Sequence, residues 1–503
     1  MPNNEFGDFQ TPLDLARQCL RLIGVLADAR ILEPTCGRGS FLQASAEVSP
    51  ASERVGIEIQ PEHADIASKF GTVLQSNIFR MNLATAVTWQ SSGDLLIVGN
   101  PPWVTSAELN RMDSNNLPDK ANFKGAKGLD ALLGSSNFDV CEFIILKLLS
   151  EFQQEQFVLA MLCKTQVARN VIEYAASIQL PIADAALHRI DAMTWFGAAV
   201  DACWFIVRSD ASRVPDYSVA VHSELTADTP NPQRFGVVGG RLVSNVDLYE
   251  QVRDADGQCP FEWRSGLKHD ASAVFELTAS PEPTTRDGVR VDIEDDYLLP
   301  FLKSTDLFRG RHRDHSKWVI VPQKSFGADT SQLQFLAPRL WDYLNSHTTV
   351  LNGRKSSIYR NRPRFSVFGH GEYTFAPYKV AISGLHKKPE FRLVGPIAGQ
   401  PVVLDDTCYF LPFTNATEAA IIWAVLSSRP SIALIESLVF WDAKRPITKK
   451  LLARLNLNKL PIDYDAVTAS AEVEATQAGI EFDCGAAELV SKQLQAEVGG
   501  VLF

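Results

Sequence analysis

The chain has 503 residues, 46% of them hydrophobic, and a formal net charge of −11. That length has room for roughly two to four globular domains, while no apolar stretch reaches the roughly 18–20 residues of a membrane span. Eight cysteines stand singly with no C-x-x-C pair or histidines at zinc spacing, so no disulfide framework and no metal is expected, only small core residues of a reducing compartment.

The N-terminus, MPNNEFGDFQTP, has neither a basic leader nor an apolar h-region, and a cytoplasmic protein without a membrane partner is expected. Its last two residues, Thr11 and Pro12, open a helix whose free N–H groups, with the Thr11 hydroxyl, can hold a carboxylate. From about residue 28 to 210, short apolar runs alternate with amphipathic stretches. ARILEP, RVGIEI, GTVLQS, DLLIVGN, QFVLAMLC, ALHRID and ACWFIVR read as strands, and LQASAEV, EHADIASKF and DVCEFIILKLLSEF as helices. The alternation predicts a mostly parallel sheet with helices on both faces and a ligand at the carboxyl ends of its strands.

ILEPTCGRGSFL, residues 31–42, reads as strand, turn and helix. Gly37 and Gly39 let the turn pass close to a ligand at the start of the helix. RVGIEI then ends in Glu58, placed to accept hydrogen bonds from ribose hydroxyls. A dinucleotide turn needs a third glycine, but Phe41 and Leu42 follow Ser40 instead. Glu33 and Pro34 before the glycines suit S-adenosylmethionine, whose ammonium an acid can meet. Asn100-Pro101-Pro102-Trp103 follows the apolar run DLLIVG, so it borders the same crevice. The prolines fix φ and aim two acceptors, the Asn100 amide oxygen and the Pro101 carbonyl, beside the flat indole of Trp103. A planar exocyclic amine presents two N–H donors to such a pair, with its ring on the indole.

Residues 211–255, rich in Pro, Gly, Ser and Asp, read as a connection, with 216–255 as the linker proper. Beyond it WVIVPQ, YTFAPYKVAISG, FRLVG and PVVLDDTCYFLP alternate with the helical TEAAIIWAVLSS and SIALIESLVF, an α+β pattern. Here the charge reverses: residues 301–400 hold sixteen Lys and Arg against six Asp and Glu, a +10 region on a body of −21. One basic region on an acidic chain is what neutralising a polyanion locally requires. Arg354, Lys355, Arg360, Arg362 and Arg364 lie in a Gly-, Ser- and Asn-containing stretch suited to phosphates and base edges, and Lys379, Lys444 and Arg445 are further candidates. The final residues, 466–503, read as helices with an acidic face.

NPPW, with LEPTCGRG and GDFQTP before it, resembles the motif set of the γ class of adenine-N6 DNA methyltransferases of restriction–modification systems. The resemblance implies a seven-stranded Rossmann-like methyltransferase domain over 1–215, an α+β target-recognition domain over 256–465, and a C-terminal helical segment over 466–503. It also implies S-adenosylmethionine as cofactor. Around it would stand Thr11, Glu33, Pro34, Gly37, Gly39, Glu58 and Ile59, joined by Asn77 and Ile78 of SNIFR, Asn100, and Asn137, Phe138 and Asp139 of SSNFDVCEF. Asn77 replaces the acid usual in the family. Catalysis would rest on Asn100, Pro101, Pro102 and Trp103, with Phe196, or Trp195 one register away, covering the other face of a base flipped from the duplex. The implied partners are double-stranded DNA and a separate restriction endonuclease, and the protein is expected to be a monomer. The same turn is shared by glutamine methyltransferases of release factors and by RNA adenine methyltransferases, which typically lack so long a C-terminal half. A non-catalytic DNA-binding protein that keeps the fold is a third reading, supported by Asn77.

Overall fold

The computed structural model describes residues 9–24, 28–111, 138–226, 230–279, 282–314, 316–325 and 327–496. The chain divides into two compact units, Met1–Asp247 and Leu248–Phe503.

The first unit is built on a ten-stranded sheet. Its strands are β1 (Arg30–Glu33), β2 (Glu53–Glu58), β3 (Thr72–Gln75), β4 (Leu95–Gly99), β5 (Phe157–Lys164), β6 (Ile182–Ile190), β7 (Ala202–Ser209), β8 (Ser218–His222), β9 (Gln233–Val238) and β10 (Arg241–Val243), in the spatial order β10-β9-β8-β6-β7-β5-β4-β1-β2-β3. From β3 to β5 neighbouring strands are parallel. β7 then runs antiparallel between β5 and β6. All seven expected strands are present. β4, LLIVG, is buried along its whole length, as a central parallel strand covered on both faces must be. The strand order reverses between β1 and β4, which places a crevice at their carboxyl ends. Two helices line that crevice, α2 (Ser40–Val48) and α4 (Val140–Glu151), while α1 (Leu13–Ile23) packs on α2 and α3 (Pro61–Ala67) follows β2.

The sheet corrects one expectation. Residues 216–255 are not a bare linker: β8, β9 and β10 lie there and extend the sheet beyond seven strands, with Val219 and Phe235 buried. Their Pro-, Gly- and Asp-rich surroundings are the turns of short edge strands, which composition does not separate from a connection.

The second unit holds two four-stranded sheets. One, in the order β11-β18-β15-β16, is formed by Arg264–Ser265, Cys408–Phe413, Tyr378–Ser383 and Phe391–Val394. The other, β12-β14-β13-β17, is formed by Glu276–Thr278, Lys317–Ile320, Leu298–Leu302 and Val403–Leu404. The helix Ala416–Ser427 packs on the first sheet, and the C-terminal helices Tyr464–Ala478 and Cys484–Ala496 pack on that helix. The C-terminal segment is therefore part of this unit. Among the described residues no single helix is long and apolar enough to cross a membrane.

Candidate active site

The turn after β1 is shaped by its two glycines. Gly37 and Gly39 have φ of 51° and 80°, in the left-handed region that favours glycine. A Cβ on Gly39 would lie 2.9 Å from Ala67 Cβ, and one on Gly37 would lie 2.7 Å from Gln10 Oε1. Glu58 closes the turn from β2: its Oε2 accepts from Gly37 N and its Oε1 from Gln60 N, both at 2.8 Å. The N-terminal segment is fastened on top. Gln10 Oε1 accepts from Arg38 N at 3.1 Å, and Ser40 Oγ donates to the Thr11 carbonyl at 2.7 Å. Below, Glu33 Oε2 accepts from Leu42 N, in the first turn of α2, at 3.1 Å. Burial raises the carboxyl pKa of both Glu33 and Glu58, against the opposing pull of these backbone donors.

Most of these residues line one crevice at the carboxyl ends of β1, β2 and β4. Of the expected cofactor residues, Thr11, Glu33, Pro34, Gly37, Glu58, Ile59, Asn77, Ile78 and Asn100 line it, together with Pro102. Asn77 uses its Oδ1 to accept from Phe79 N at 2.9 Å, capping the short turn Ile78–Arg80. Gly39 stands behind the wall against Ala67. Phe138 is also off the wall. It packs on Phe143, ring centroids 5.8 Å apart, and the Phe138 carbonyl accepts from Ser106 N. Val140 and Ile144 of α4 take the wall position instead. Asn137 lies outside the described residues. Phe9, Gln10, Thr35, Cys36, Ser40, Ile57, Gln60, Ser76 and Phe79 complete the lining without having been singled out in the sequence.

The residues fit S-adenosylmethionine on the chemistry of the donors: an acid at the end of β2 for ribose hydroxyls, a second acid and a helix start for the amino-acid moiety, and Ile78 as an apolar wall for the adenine.

Asn100 and Pro102 border the same crevice from β4. The Asn100 Nδ2 donates to the Phe9 carbonyl at 3.1 Å, while its Oδ1 is buried and accepts no hydrogen bond. Trp103 differs from the open stacking platform expected. Its indole is only 6% exposed, its Nε1 donates to the Leu162 carbonyl at 3.2 Å, and two rings cover it. Phe196, from the short helix Ala192–Phe196, stands edge-on at 5.1 Å between centroids, and Phe9 is tilted at 5.8 Å. Of the two aromatics at the end of this helix, it is Phe196 whose ring meets Trp103. The loop beyond the indole is tied to the start of α4, where Val140 N donates to the Val104 carbonyl and Lys164 Nζ to Asp139 Oδ2 at 2.9 Å.

In the second unit, Lys379 and Arg354, two of the eight basic residues expected to bind DNA, are structural. Lys379 is 1% exposed and its Nζ donates to the Ala376 carbonyl at 2.6 Å. It lies on β15, between β16 and β18, and faces inward. Arg354 is half-buried: its Nε donates to the Leu351 carbonyl, and its Nη1 to the carbonyls of His269 and Ser366. Its guanidinium covers the Tyr359 ring at 3.8 Å. Lys355, Arg360, Lys444 and Arg445 are exposed, and Arg445 lies 4.0 Å from the Asp406 carboxylate.

Within the seven strands from β3 to β6, a single antiparallel strand, β7, inserted beside the last of an otherwise parallel run, with the crevice at the switch point and two acids on its wall, defines the fold of S-adenosylmethionine-dependent methyltransferases. Comparison narrows this. No family model matches the chain. Over 469 residues it is 38% identical to the Type II methyltransferase M.NspV of Nostoc sp. (strain ATCC 29411 / PCC 7524), covering 91% of this chain and 97% of that one. The chain belongs to this family of Type II methyltransferases. A shorter match, 33% identical over 103 residues, is to the Type II methyltransferase M.CvrRI of Paramecium bursaria Chlorella virus XZ-6E, covering 20% of this chain and 25% of that one. Among solved structures, the Type IIL restriction-modification enzyme MmeI in complex with DNA has a TM-score of 0.53 at 14% identity, covering 99% of this chain and 73% of that one.

Proposed function

We propose that the protein is a site-specific DNA methyltransferase that methylates the N6 amino group of an adenine flipped out of double-stranded DNA, and that it is the modification enzyme of a restriction–modification system. The single observation that carries the reading is Asn100 Oδ1: an amide oxygen buried without a hydrogen bond, its amide held by the Phe9 carbonyl, beside an aromatic cluster and an acid-walled crevice. A buried acceptor left unpaired costs about 1–3 kcal/mol. A ligand N–H donor removes that cost.

The geometry lets the chain do three things. Asn100 Oδ1 and the Pro101 carbonyl accept the two N–H bonds of the adenine amine, which draws the nitrogen lone pair out of conjugation with the ring. Trp103 and Phe196 supply apolar faces for the base and exclude water around the amine. Glu58, Glu33, Thr11 and the Asn77–Ile78 pair line the crevice and would hold S-adenosylmethionine, which when bound supplies a methyl group from its sulfonium and is left as a neutral thioether. The methylated nitrogen is strongly acidic, so its proton passes by way of Asn100 and Pro101 to solvent without a tuned histidine. Exposed cations of the second unit, Lys355, Arg360, Lys444 and Arg445, contact the DNA backbone. A monomer acting in the cytoplasm with a separate endonuclease completes the reading.

Expression of the chain in a host lacking adenine methylation, followed by modified-base sequencing of the genome, tests it. One sequence motif should carry N6-methyladenine, and none should with Asn100→Ala. Methyl transfer from labelled S-adenosylmethionine to RNA or protein but not to DNA would overturn the reading.

A further inference from the structure

The socket proposed for the target base is closed: its two rings meet, and a ring of the N-terminal segment packs against both. Trp103 and Phe196 touch directly, their centroids 5.1 Å apart and their planes at 72°. A base stacked between two rings needs them about 7 Å apart, two carbon–carbon contact distances. The third ring, Phe9, lies 5.8 Å from Trp103 and 5.7 Å from Phe196, tilted by 55° and 53°, so the three form one cluster. The same residue also holds the polar half of the site, because the Phe9 carbonyl is the partner of Asn100 Nδ2. Its neighbours Gln10 and Thr11 are fastened to the glycine turn, and Phe9 itself lines the cofactor crevice.

We propose that the Phe9 phenyl ring is a built-in clamp on the empty socket, packing against both of its rings and holding them together until an extruded base parts them. This rests on the reading of the site as a base socket. The ring and the carbonyl of Phe9 then have separate duties. The carbonyl keeps the Asn100 oxygen aimed at the incoming amine, whether the socket is closed or filled. The ring adds a third apolar face to the closed pair, so the DNA base competes with a three-ring cluster and not with water. Base entry therefore includes rotation of the Phe9 side chain, and removing that side chain leaves the socket easier to enter.

The test uses the full chain and a duplex carrying the motif located by genome sequencing, without S-adenosylmethionine. Extrusion of an adenine leaves its partner thymine unstacked, and permanganate oxidises an unstacked thymine faster than a paired one. At saturating protein, Phe9→Ala should raise oxidation of that one thymine at least threefold over wild type. Phe9→Leu, which keeps apolar bulk but cannot stack, should also raise it, and Phe9→Tyr should match wild type. Oxidation that is unchanged or lower in Phe9→Ala and Phe9→Leu overturns the proposal, since a ring acting only as a wall of the filled socket would lose extrusion when removed. If Phe9→Ala does not fold or bind DNA, Phe9→Leu decides alone. The underlying reading fails separately, if wild-type protein methylates no adenine in any duplex.

Discussion

The Phe9 carbonyl and the Asn100 side chain form a fixed pair: Nδ2 donates at 3.1 Å, so the amide cannot turn over without losing the bond, and Oδ1 is left as the free acceptor. Asn100→Ala should lower kcat/KM by about two to three orders of magnitude, the usual loss of one preorganised hydrogen-bonding group, with DNA affinity nearly unchanged. Asn100→Asp sets a carboxylate oxygen against the Phe9 carbonyl. The repulsion and burial favour the neutral acid, which donates to that carbonyl as the amide did, so the aspartate pKa rises above its ordinary value. Activity of this variant should be greatest at low pH and decline as pH rises through the raised pKa, whereas wild-type activity keeps no such dependence on residue 100. A pH–rate profile of both proteins reads the difference.

The two glycines of the turn should answer differently to alanine. Both substitutions force a left-handed residue, which costs about 1–2 kcal/mol. Gly39→Ala also drives Cβ to 2.9 Å from Ala67 Cβ and 3.0 Å from its Cα, where the α3 backbone gives little. Gly37→Ala meets only the end of the Gln10 side chain, which can swing away. Gly39→Ala should therefore lower the Tm more. Gly37→Ala should act mainly on cofactor affinity, since Gly37 lines the crevice and Gly39 does not. Thermal melts and calorimetric titration with S-adenosylmethionine separate the two.

What the sequence made legible follows from how local its signals are. The seven strands, the glycine turn and Glu58 are each fixed by a run of neighbouring residues, and the crevice forms where β1 and β4 end. Phe9 was not legible, although it stands two residues before Thr11. A single phenylalanine has no periodicity, and its meeting with Trp103 and Phe196 joins it to residues about 95 and 190 positions further along the chain. Positive charge was misleading where burial decided: Lys379 alternates with apolar neighbours on a central strand, and Arg354 sits in a loop whose carbonyls turn inward. A side chain's charge is written in the sequence, but whether a backbone carbonyl satisfies it is not.

Lys379 should make the stability of the second unit depend on pH. Burial pushes its pKa down to about 7 in the folded protein, from about 10.4 in an unfolded chain. Between those values the unfolded chain binds the extra proton, so stability rises with pH across that window and is lowest below pH 7, where the buried ammonium is charged in the folded state. Lys379→Met keeps the length of the side chain and removes the titration. The variant should have the higher Tm near neutral pH and lack the rise between pH 7 and 9 that wild type shows. Its affinity for DNA should be that of wild type.

Arg354 and its exposed neighbours separate packing from phosphate binding. Arg354→Ala strips three carbonyls, those of Leu351, His269 and Ser366, of their donor and uncovers the Tyr359 ring. Each charge-assisted bond is worth about 1.5–3 kcal/mol, so the Tm of the second unit should fall by several degrees. Lys355→Ala and Arg360→Ala touch exposed side chains and should leave the Tm within a degree or so. Their effect belongs to the salt dependence: a lysine or arginine on a phosphate contributes about one unit to the slope of log affinity against log salt, equally for cognate and unrelated duplexes. Each exposed substitution should reduce that slope by about one in a fluorescence-anisotropy titration, whereas Arg354→Ala, measured below its melting temperature, should leave it unchanged. A slope that falls for Arg354→Ala and stays fixed for the other two would mean that the exposed cations of this loop do not face the DNA.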